Sequence, residues 1–238
     1  MDPRANAVVA AAGGLAAARS GAMRLKDTTY SETALTETAH RARNDLFTVA
    51  AMLRLHAAVS GDPKVSLALL DAEARVRALC NLNARMDAQA ENVETTIASR
   101  VFFEGLADDL RATHFGHRPI ALRVEAEPHR IAVAHTKPLG LIVNELVVNA
   151  LKYTFPHGRC GTVAIRFRCP GADGHCVLTV RDDGVGFDLG APPKGTGIGR
   201  RMVRALAAQA GGTFVFGSGA DGVGTVCAVR WPDVCRQS

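Results

Sequence analysis

The sequence predicts an α+β protein in which a helical hairpin is followed by a two-layer α/β sandwich. In the first third of the chain, apolar residues recur every three or four positions, as they do in packed helices. Gly61-Asp62-Pro63 interrupts this pattern and marks a turn between two helices. Further along, alternating strand patterns and glycine-rich turns flank helical segments. We therefore expect a leader over 1–30, a hairpin over 31–95 and a sandwich over 96–238.

Each helix of the hairpin carries an apolar seam, and Ser31 or Thr33 is the expected N-cap of the first helix. Two such helices bury little apolar area by themselves. We therefore expect a homodimer through residues 31–92. The seam residues are Leu35, Ala39, Ala42, Leu46, Val49 and Leu53 in the first helix, and Val65, Leu69, Ala72, Val76, Leu79, Asn83 and Met86 in the second.

The second part of the chain switches between strand and helix periodicity. This order places helices on one face of a mixed, mainly antiparallel sheet. The strand patterns lie at 119–127, 131–133, 162–168, 176–180, 213–216 and 224–231, and the helical patterns at 99–115, 139–155 and 197–210.

The helix predicted over 139–155 carries a row of polar side chains beside its apolar face. Glu145, Asn149, Lys152 and Tyr153 follow one another at helical spacing, so they share one side of the helix. A carboxylate, an amide, an ammonium and a phenol in one row suit a metal-bound polyphosphate. Taken alone, the row is more often a solvated helix face.

Two glycine motifs downstream favour the functional interpretation. Asp182-Asp183-Gly184-Val185-Gly186 follows an alternating apolar run, and Gly195-Thr196-Gly197-Ile198-Gly199 opens the next helical pattern. With the polar row, and in this order, they resemble the nucleotide-binding motifs of the GHKL ATPases, the superfamily of gyrase, Hsp90, histidine kinases and MutL. The resemblance implies the Bergerat fold, with ATP and Mg²⁺ as cofactors.

The same resemblance implies a role for each site residue. Asp182 would accept a hydrogen bond from the adenine amino group, Asn149 would bind Mg²⁺ through its amide oxygen, and Glu145 would orient or deprotonate through water. The other nucleotide-binding candidates are Lys152, Tyr153, Gly184, Gly186, Lys194, Gly195, Gly197, Gly199 and Thr225.

A second motif lies in the first helix of the hairpin, His40-Arg41-Ala42-Arg43-Asn44-Asp45-Leu46, with Glu37 one turn before it. It resembles the phosphoacceptor box of the HWE-like, second-type HisKA histidine kinases, and the short segment from Asp188 to Gly195 resembles their short ATP lid. The resemblance implies that His40 is the phosphoacceptor, with Glu37 and Asn44 beside it on one helix face. A lone histidine without this context would be read as a solvated one.

Charge and hydropathy indicate which partners and which cellular location to expect for this protein. The net charge of +5 is spread along the chain without a basic patch, so no nucleic-acid partner is expected. The apolar run at 5–18 is shorter than the about 20 residues that a membrane span requires, so we expect no span and a cytoplasmic location.

Cysteine spacing argues against a metal site. The six cysteines show no CxxC motif, which favours reduced thiols. A zinc site formed by Cys160, Cys169, His175 and Cys176 is disfavoured, because His175 and Cys176 would point to opposite faces of one strand.

Together these features predict a histidine kinase without a sensor domain that phosphorylates His40 from MgATP and passes the phosphoryl group to an aspartate of a response-regulator receiver domain. A GHKL serine kinase of the anti-sigma type is one alternative, and the hairpin with its histidine argues against it. A phosphotransfer scaffold with a decayed ATP domain is another, and the retained Asn149, Asp182 and glycines argue against it.

Overall fold

A computed structural model describes residues 37–38, 41–90, 95–169, 174–186, 197–219 and 222–233. The predicted leader, the seam residues Leu35 and Ala39, and His40 lie outside these ranges. The chain divides into two compact units, Met1–Thr48 and Val49–Ser238. The predicted domain boundary near residue 95 stays a prediction.

The predicted hairpin turn is confirmed. Helix α1 covers residues 41–59, residues 37–38 are also helical, and helix α2 is Pro63–Ala90. Asp62 caps α2, because its Oδ1 accepts the backbone N–H of Lys64 at 2.8 Å, and Pro63 occupies the first helical position. Ser66 then ties the two helices together by donating its hydroxyl to the carbonyl of Ala57 at 2.9 Å.

The seam of α1 differs from the prediction. Val49 is 44% exposed, whereas its neighbour Ala50 is 1% exposed and Ala57 is 4% exposed. Small side chains allow helices to approach closely, and this packing turns the larger apolar residues outward. In the single chain, the seam residues Ala42, Val49 and Val65 are exposed, while Leu46 and Leu53 are half-buried. The pairing of the seam with a second copy stays a prediction.

The exposed apolar face of the hairpin consists of Val49, Met52, Leu55, Val59, Leu67 and Leu70. A row of large apolar side chains in water is unfavourable, and such rows mark surfaces where other molecules bind.

Among the described residues, no helix is both long and apolar enough to cross a membrane.

The sandwich contains a five-stranded sheet in the order β2-β4-β5-β7-β6. Strand β2 runs parallel to β4, and the other neighbours are antiparallel, which confirms a mixed, mainly antiparallel sheet. Two short strands, β1 and β3, form a separate antiparallel ribbon. The strands are β1 (Thr96–Ala98), β2 (Ile120–Ala126), β3 (Arg130–Ala132), β4 (Gly161–Arg168), β5 (His175–Asp182), β6 (Thr213–Ser218) and β7 (Thr225–Pro232).

Three helices complete the sandwich: α3 (Ser99–Leu110), which continues into a wider turn at Arg111–Phe115, α4 (Val133–Tyr153) and α5 (Ile198–Gln209). The strands bury one face against them, since Val163, Ile165 and Phe167 are buried while Arg166 and Arg168 are exposed. Helix α4 contributes Leu139, Ile142, Val143 and Val147 to the same core. The predicted two-layer architecture is confirmed.

Helix α2 lies antiparallel along α4. The end of α2 contacts the start of α4, and the start of α2 contacts the end of α4. Met86 Sδ lies 3.2 Å from Thr136 Oγ1 at one end, and Asp71 pairs with Lys152 at the other. Between them, Gly140 faces Leu82 so closely that a Cβ on Gly140 would lie 2.4 Å from Leu82 Cδ2. The missing side chain of Gly140 therefore allows the two helices to meet.

We expect strong coupling between Gly140 and Leu82 in stability. Gly140→Ala should lower the free energy of unfolding by about 1–3 kcal/mol through overpacking, and Leu82→Ala should lower it by about 2–5 kcal/mol through a cavity. The double variant should lose less than the sum, because the new methyl group occupies the space that Leu82 vacates. Thermal or urea unfolding measures this, with Gly61→Ala, which meets no neighbour, as the control. Additive losses would contradict the contact.

Candidate nucleotide site

The structure contains the polar row on α4, and its side chains differ in burial. Glu145 is buried, Asn149 and Tyr153 are half-buried, and Lys152 is exposed. Asn149 donates its side-chain Nδ2–H to Glu145 Oε1 at 3.2 Å, which leaves its Oδ1 as the atom that could bind a cation. The two residues that the sequence analysis assigned to metal and water chemistry therefore touch.

Helix α2 provides the main partner of Glu145. Arg75 Nε lies 2.9 Å from Oε2 and Arg75 Nη2 lies 3.0 Å from Oε1, so the guanidinium contacts both carboxylate oxygens. The hydrogen bond to Glu145 raises the pKa of Arg75, and burial opposes the rise. One turn earlier on α2, Asp71 pairs with Lys152. Glu145 and Lys152 are thus both engaged by the hairpin.

The first turn of α5 lies directly against this pair. A Cβ on Gly199 would lie 2.0 Å from Glu145 Oε1 and 3.3 Å from Asn149 Nδ2, so only glycine fits here without a shift. Gly197 precedes the helix in the left-handed conformation, with φ of 68°. The N-terminus of α5, where the positive end of the helix dipole lies, is therefore next to Glu145 and Asn149, an arrangement suited to phosphate oxygens.

Asp182 ends β5 and is buried. Burial raises the pKa of its carboxyl above the usual value, and the backbone N–H of Gly184, which donates to Oδ1 at 3.0 Å, opposes this rise. Gly184 is packed on Thr154 at the end of α4, where a Cβ would lie 2.4 Å from the Thr154 carbonyl. Gly186 approaches Gly224 on the turn before β7. The acidic loop therefore bridges the end of α4 and the start of β7.

Thr225, the first residue of β7, lies beside Asp182. The Thr225 hydroxyl is near enough to lower the pKa of Asp182 against the effect of burial. Yet Thr225 Oγ1 is buried and has no hydrogen-bond partner of good geometry among the described residues. Val185 and Val223, on the two loops that meet at Gly186, are about half exposed. Acceptors beside an apolar rim suit a flat, amine-bearing base.

Several predicted site residues lie outside this cluster. His40, Lys194 and Gly195 fall outside the described residues. Glu37 forms an ion pair with Arg41 one turn away, and the carbonyl of Asn44 accepts the Thr48 hydroxyl at 3.0 Å. Both belong to the first compact unit, which is described separately from the nucleotide cluster.

The roles of Arg75 and Asp71 were not predicted, because the sequence pattern of α2 indicates only a heptad seam. Asp71 directly precedes the seam residue Ala72 and Arg75 directly precedes Val76, and these positions alone do not say which helix the charges will meet. A cavity of about 200 Å³ between α2, α3 and α4 was not predicted either, and its lining includes Arg77, Asp109 and Asn144 rather than the nucleotide candidates.

Comparison with known proteins agrees with the site. Residues 37–114 match the family model described as histidine kinase, and residues 134–234 match the one described as histidine kinase-, DNA gyrase B-, and HSP90-like ATPase. The chain therefore belongs to the histidine kinases that join an HWE-like, second-type HisKA region to a GHKL ATPase domain, as the resemblance implied. The GHKL domain implies ATP binding.

Particular relatives support this assignment. The chain is 28% identical over 202 residues to blue-light-activated histidine kinase 2 of Erythrobacter litoralis, covering 83% of this chain and 56% of that protein. It is 27% identical to the sensor histidine kinase PdtaS of Mycobacterium tuberculosis, covering 70% of this chain and 33% of that protein. The chain thus spans about half or less of the length of these relatives.

A solved structure gives the same result. The histidine kinase domain of the Erythrobacter litoralis EL346 blue-light-activated kinase superposes with a TM-score of 0.58 at 25% identity. The match covers 82% of this chain and 94% of that one. The predicted α+β fold with its GHKL-type sandwich is therefore confirmed.

We expect Asp182→Asn to stabilise the protein near neutral pH. The raised pKa means that the charged carboxylate is less favourable in the folded than in the unfolded chain, so the neutral amide removes a cost. The stability that Asp182→Asn gains over wild type should shrink as the pH falls through the folded pKa of Asp182. It should vanish below the pKa of 3.8 of the unfolded chain. Melting temperatures from pH 7 to pH 3 measure this. Asp183→Asn, at an exposed neighbour, is the control. The burial effect would be contradicted if the melting temperature of the variant, measured relative to wild type, were lower at pH 7 than at pH 4.

Proposed function

We propose that this protein is an ATP-dependent histidine kinase that phosphorylates His40 and passes the phosphoryl group to an aspartate of a response-regulator receiver domain. The observation that carries the proposal is the meeting of Glu145, Asn149 and Gly199, since it brings carboxylate and amide oxygens to the N-terminus of a helix. This is the combination that a metal-bound triphosphate requires.

The residues of the chain fit bound ATP and Mg²⁺. Asp182 and the buried Thr225 hydroxyl would hold the amino edge of the adenine, the first turn of α5 would bind phosphate oxygens, and Asn149 Oδ1 would bind Mg²⁺. The cofactor supplies the γ-phosphoryl group and its metal neutralises charge. Lys152, Tyr153 and Lys194 are the proposed additional contacts.

His40 supplies the nucleophile in this proposal. A neutral imidazole nitrogen forms the bond to the γ-phosphorus while the bond to the β,γ-bridging oxygen breaks, so ADP leaves. The ring proton must then depart, and Glu145 is the proposed acceptor, directly or through water. Glu37 and Asn44 are the proposed positioning residues on the His40 helix. In the second step the phosphoryl group moves from the imidazole to the receiver carboxylate, which restores His40.

The contact between Arg75 and Glu145 belongs to a resting state in this scheme. Both oxygens of the Glu145 carboxylate accept hydrogen bonds from the Arg75 guanidinium, so fewer of their lone pairs are available to take a proton from His40. Helix α2 therefore keeps Glu145 from accepting the proton of His40. It also holds Lys152 in an ion pair with Asp71. Separation of α2 from α4 would release both side chains together.

The exposed apolar face of the hairpin supports homodimerisation as a further part of the proposal. Val49, Met52, Leu55 and Val59 lie along α1, and Leu67 and Leu70 lie at the start of α2. A second copy of the same hairpin offers a matching apolar face and would complete a four-helix bundle.

Labelling with γ-³²P-ATP tests the kinase proposal. His40→Ala should abolish incorporation and retain nucleotide binding, whereas Asn149→Ala should weaken Mg²⁺-dependent nucleotide binding itself. His56→Ala, an exposed histidine on α1, is the matched control and should label normally. The label should be lost in acid and stable in base. Labelling that persists without His40, or that survives acid, would overturn the assignment and favour a serine kinase.

Arg75→Gln should raise the initial rate of self-labelling several-fold, because Glu145 loses the group that holds it. Arg77→Gln is the control, since Arg77 pairs with Glu73 within α2. Rates should be compared per folded molecule, at a temperature below the unfolding transition of each variant. A slower rate with intact nucleotide affinity would show instead that Arg75 positions Glu145 for catalysis.

A further inference from the structure

A cluster of three potential metal ligands lies at the end of the sheet opposite to Asp182. His129 precedes β3, Cys176 is the second residue of β5, and Asp233 follows β7. One ligand atom from each side chain lies within 4.8 Å of the others. Residues this far apart in the sequence meet only because β5 pairs with β7 and because the turn before β3 crosses the same end of the sheet.

Burial makes the cluster unlike an ordinary surface group of polar residues. Cys176 is 2% exposed and faces the helix-covered side of the sheet with Leu178 and Val180. The Asp233 side chain is 3% exposed and that of His129 is 19% exposed. A carboxylate at this depth is costly unless charge and directed contacts compensate it.

The contact between His129 and Asp233 is close but badly directed. Nε2 of His129 lies 3.2 Å from Oδ1 of Asp233, yet this buried nitrogen makes no hydrogen bond to the described residues. A nitrogen that does not donate can carry a lone pair, which is the form in which imidazole binds a metal.

We propose that His129 Nε2, the Cys176 thiolate and an Asp233 carboxylate oxygen bind one divalent cation, for which Zn²⁺ is the best match. Nitrogen, sulfur and oxygen ligands together are typical of zinc. The charges also balance, since one thiolate and one carboxylate neutralise the ion while the imidazole remains neutral. Binding releases the thiol proton of Cys176 to solvent. Water would occupy the fourth position of a tetrahedral site.

The site is separate from the predicted nucleotide site. Cys176 and Asp182 are six residues apart on β5, which corresponds to about 20 Å at a rise of about 3.3 Å per residue. An ion here would join the turn before β3, the start of β5 and the chain after β7. We therefore assign it a structural role, and its binding does not depend on the proposed kinase activity.

Zinc binding by the full-length protein tests the proposal. Purified protein, stripped of metal and reduced, should take up one Zn²⁺ per chain by native mass spectrometry. It should melt at a higher temperature with zinc than without it. His129→Ala and Cys176→Ala should each weaken affinity by more than the about 10–100-fold that loss of an outer-shell partner costs. His117→Ala and Cys160→Ala, at exposed positions, are matched controls that should bind zinc like wild type.

Cobalt provides a readout in wild-type protein that needs no variant. Co²⁺ should produce a near-ultraviolet thiolate-to-metal absorption band that Zn²⁺ abolishes. Asp233→Asn, which keeps the shape of the side chain, should weaken binding while retaining the band. Wild type that takes up no zinc, a missing thiolate band, or unchanged zinc affinity in Cys176→Ala would each overturn the proposal. ATP binding should be the same with and without zinc.

Discussion

Helix α2 lies along α4, and the ion pair between Arg75 and Glu145 at its centre connects the hairpin to the nucleotide cluster. Removing one partner from a buried ion pair costs about 3–5 kcal/mol, because the remaining charge is left without compensation. Glu145 is buried enough for this penalty to matter, whereas Arg75 is partly exposed. The position of α2 and the contacts of Glu145 are therefore coupled.

This coupling suggests how a signal could reach the site without touching the nucleotide. Arg75 and Asp71 lie one turn apart on α2, and their partners Glu145 and Lys152 belong to the polar row of α4. A rotation or shift of α2 would change both contacts together, because each depends on the same helix face. The close approach of Gly140 on α4 to Leu82 on α2 packs that face of α2 tightly against α4. Movement of the hairpin would therefore change the contacts of Glu145 and Lys152 together.

The sheet separates two chemical environments at its opposite ends. At one end, Asp182 is buried, and the buried Oγ1 of Thr225 makes no well-directed hydrogen bond to the described residues. At the other end, His129, Cys176 and Asp233 form a compact cluster between strands. The core between the ends is apolar, and the rings of Phe167 and Trp231, 6.0 Å apart, pack at the His129 end of it. The two proposed ligand sites therefore lie at opposite ends of the sheet.

The sequence by itself determined the elements and the motifs. Heptad spacing predicted the hairpin, alternation predicted the main strands, and the conjunction of Asn149, Asp182 and the glycines predicted the class of site, because these signals are local. The three-residue strand β1 was missed since its pairing with β3 is long-range. Tertiary structure decided the α1 seam, where Ala50 is buried and Val49 exposed. It also decided that Arg75 meets Glu145, and that Cys176 meets His129 and Asp233 rather than its neighbour His175, because contacts between distant segments follow from helix docking and strand pairing.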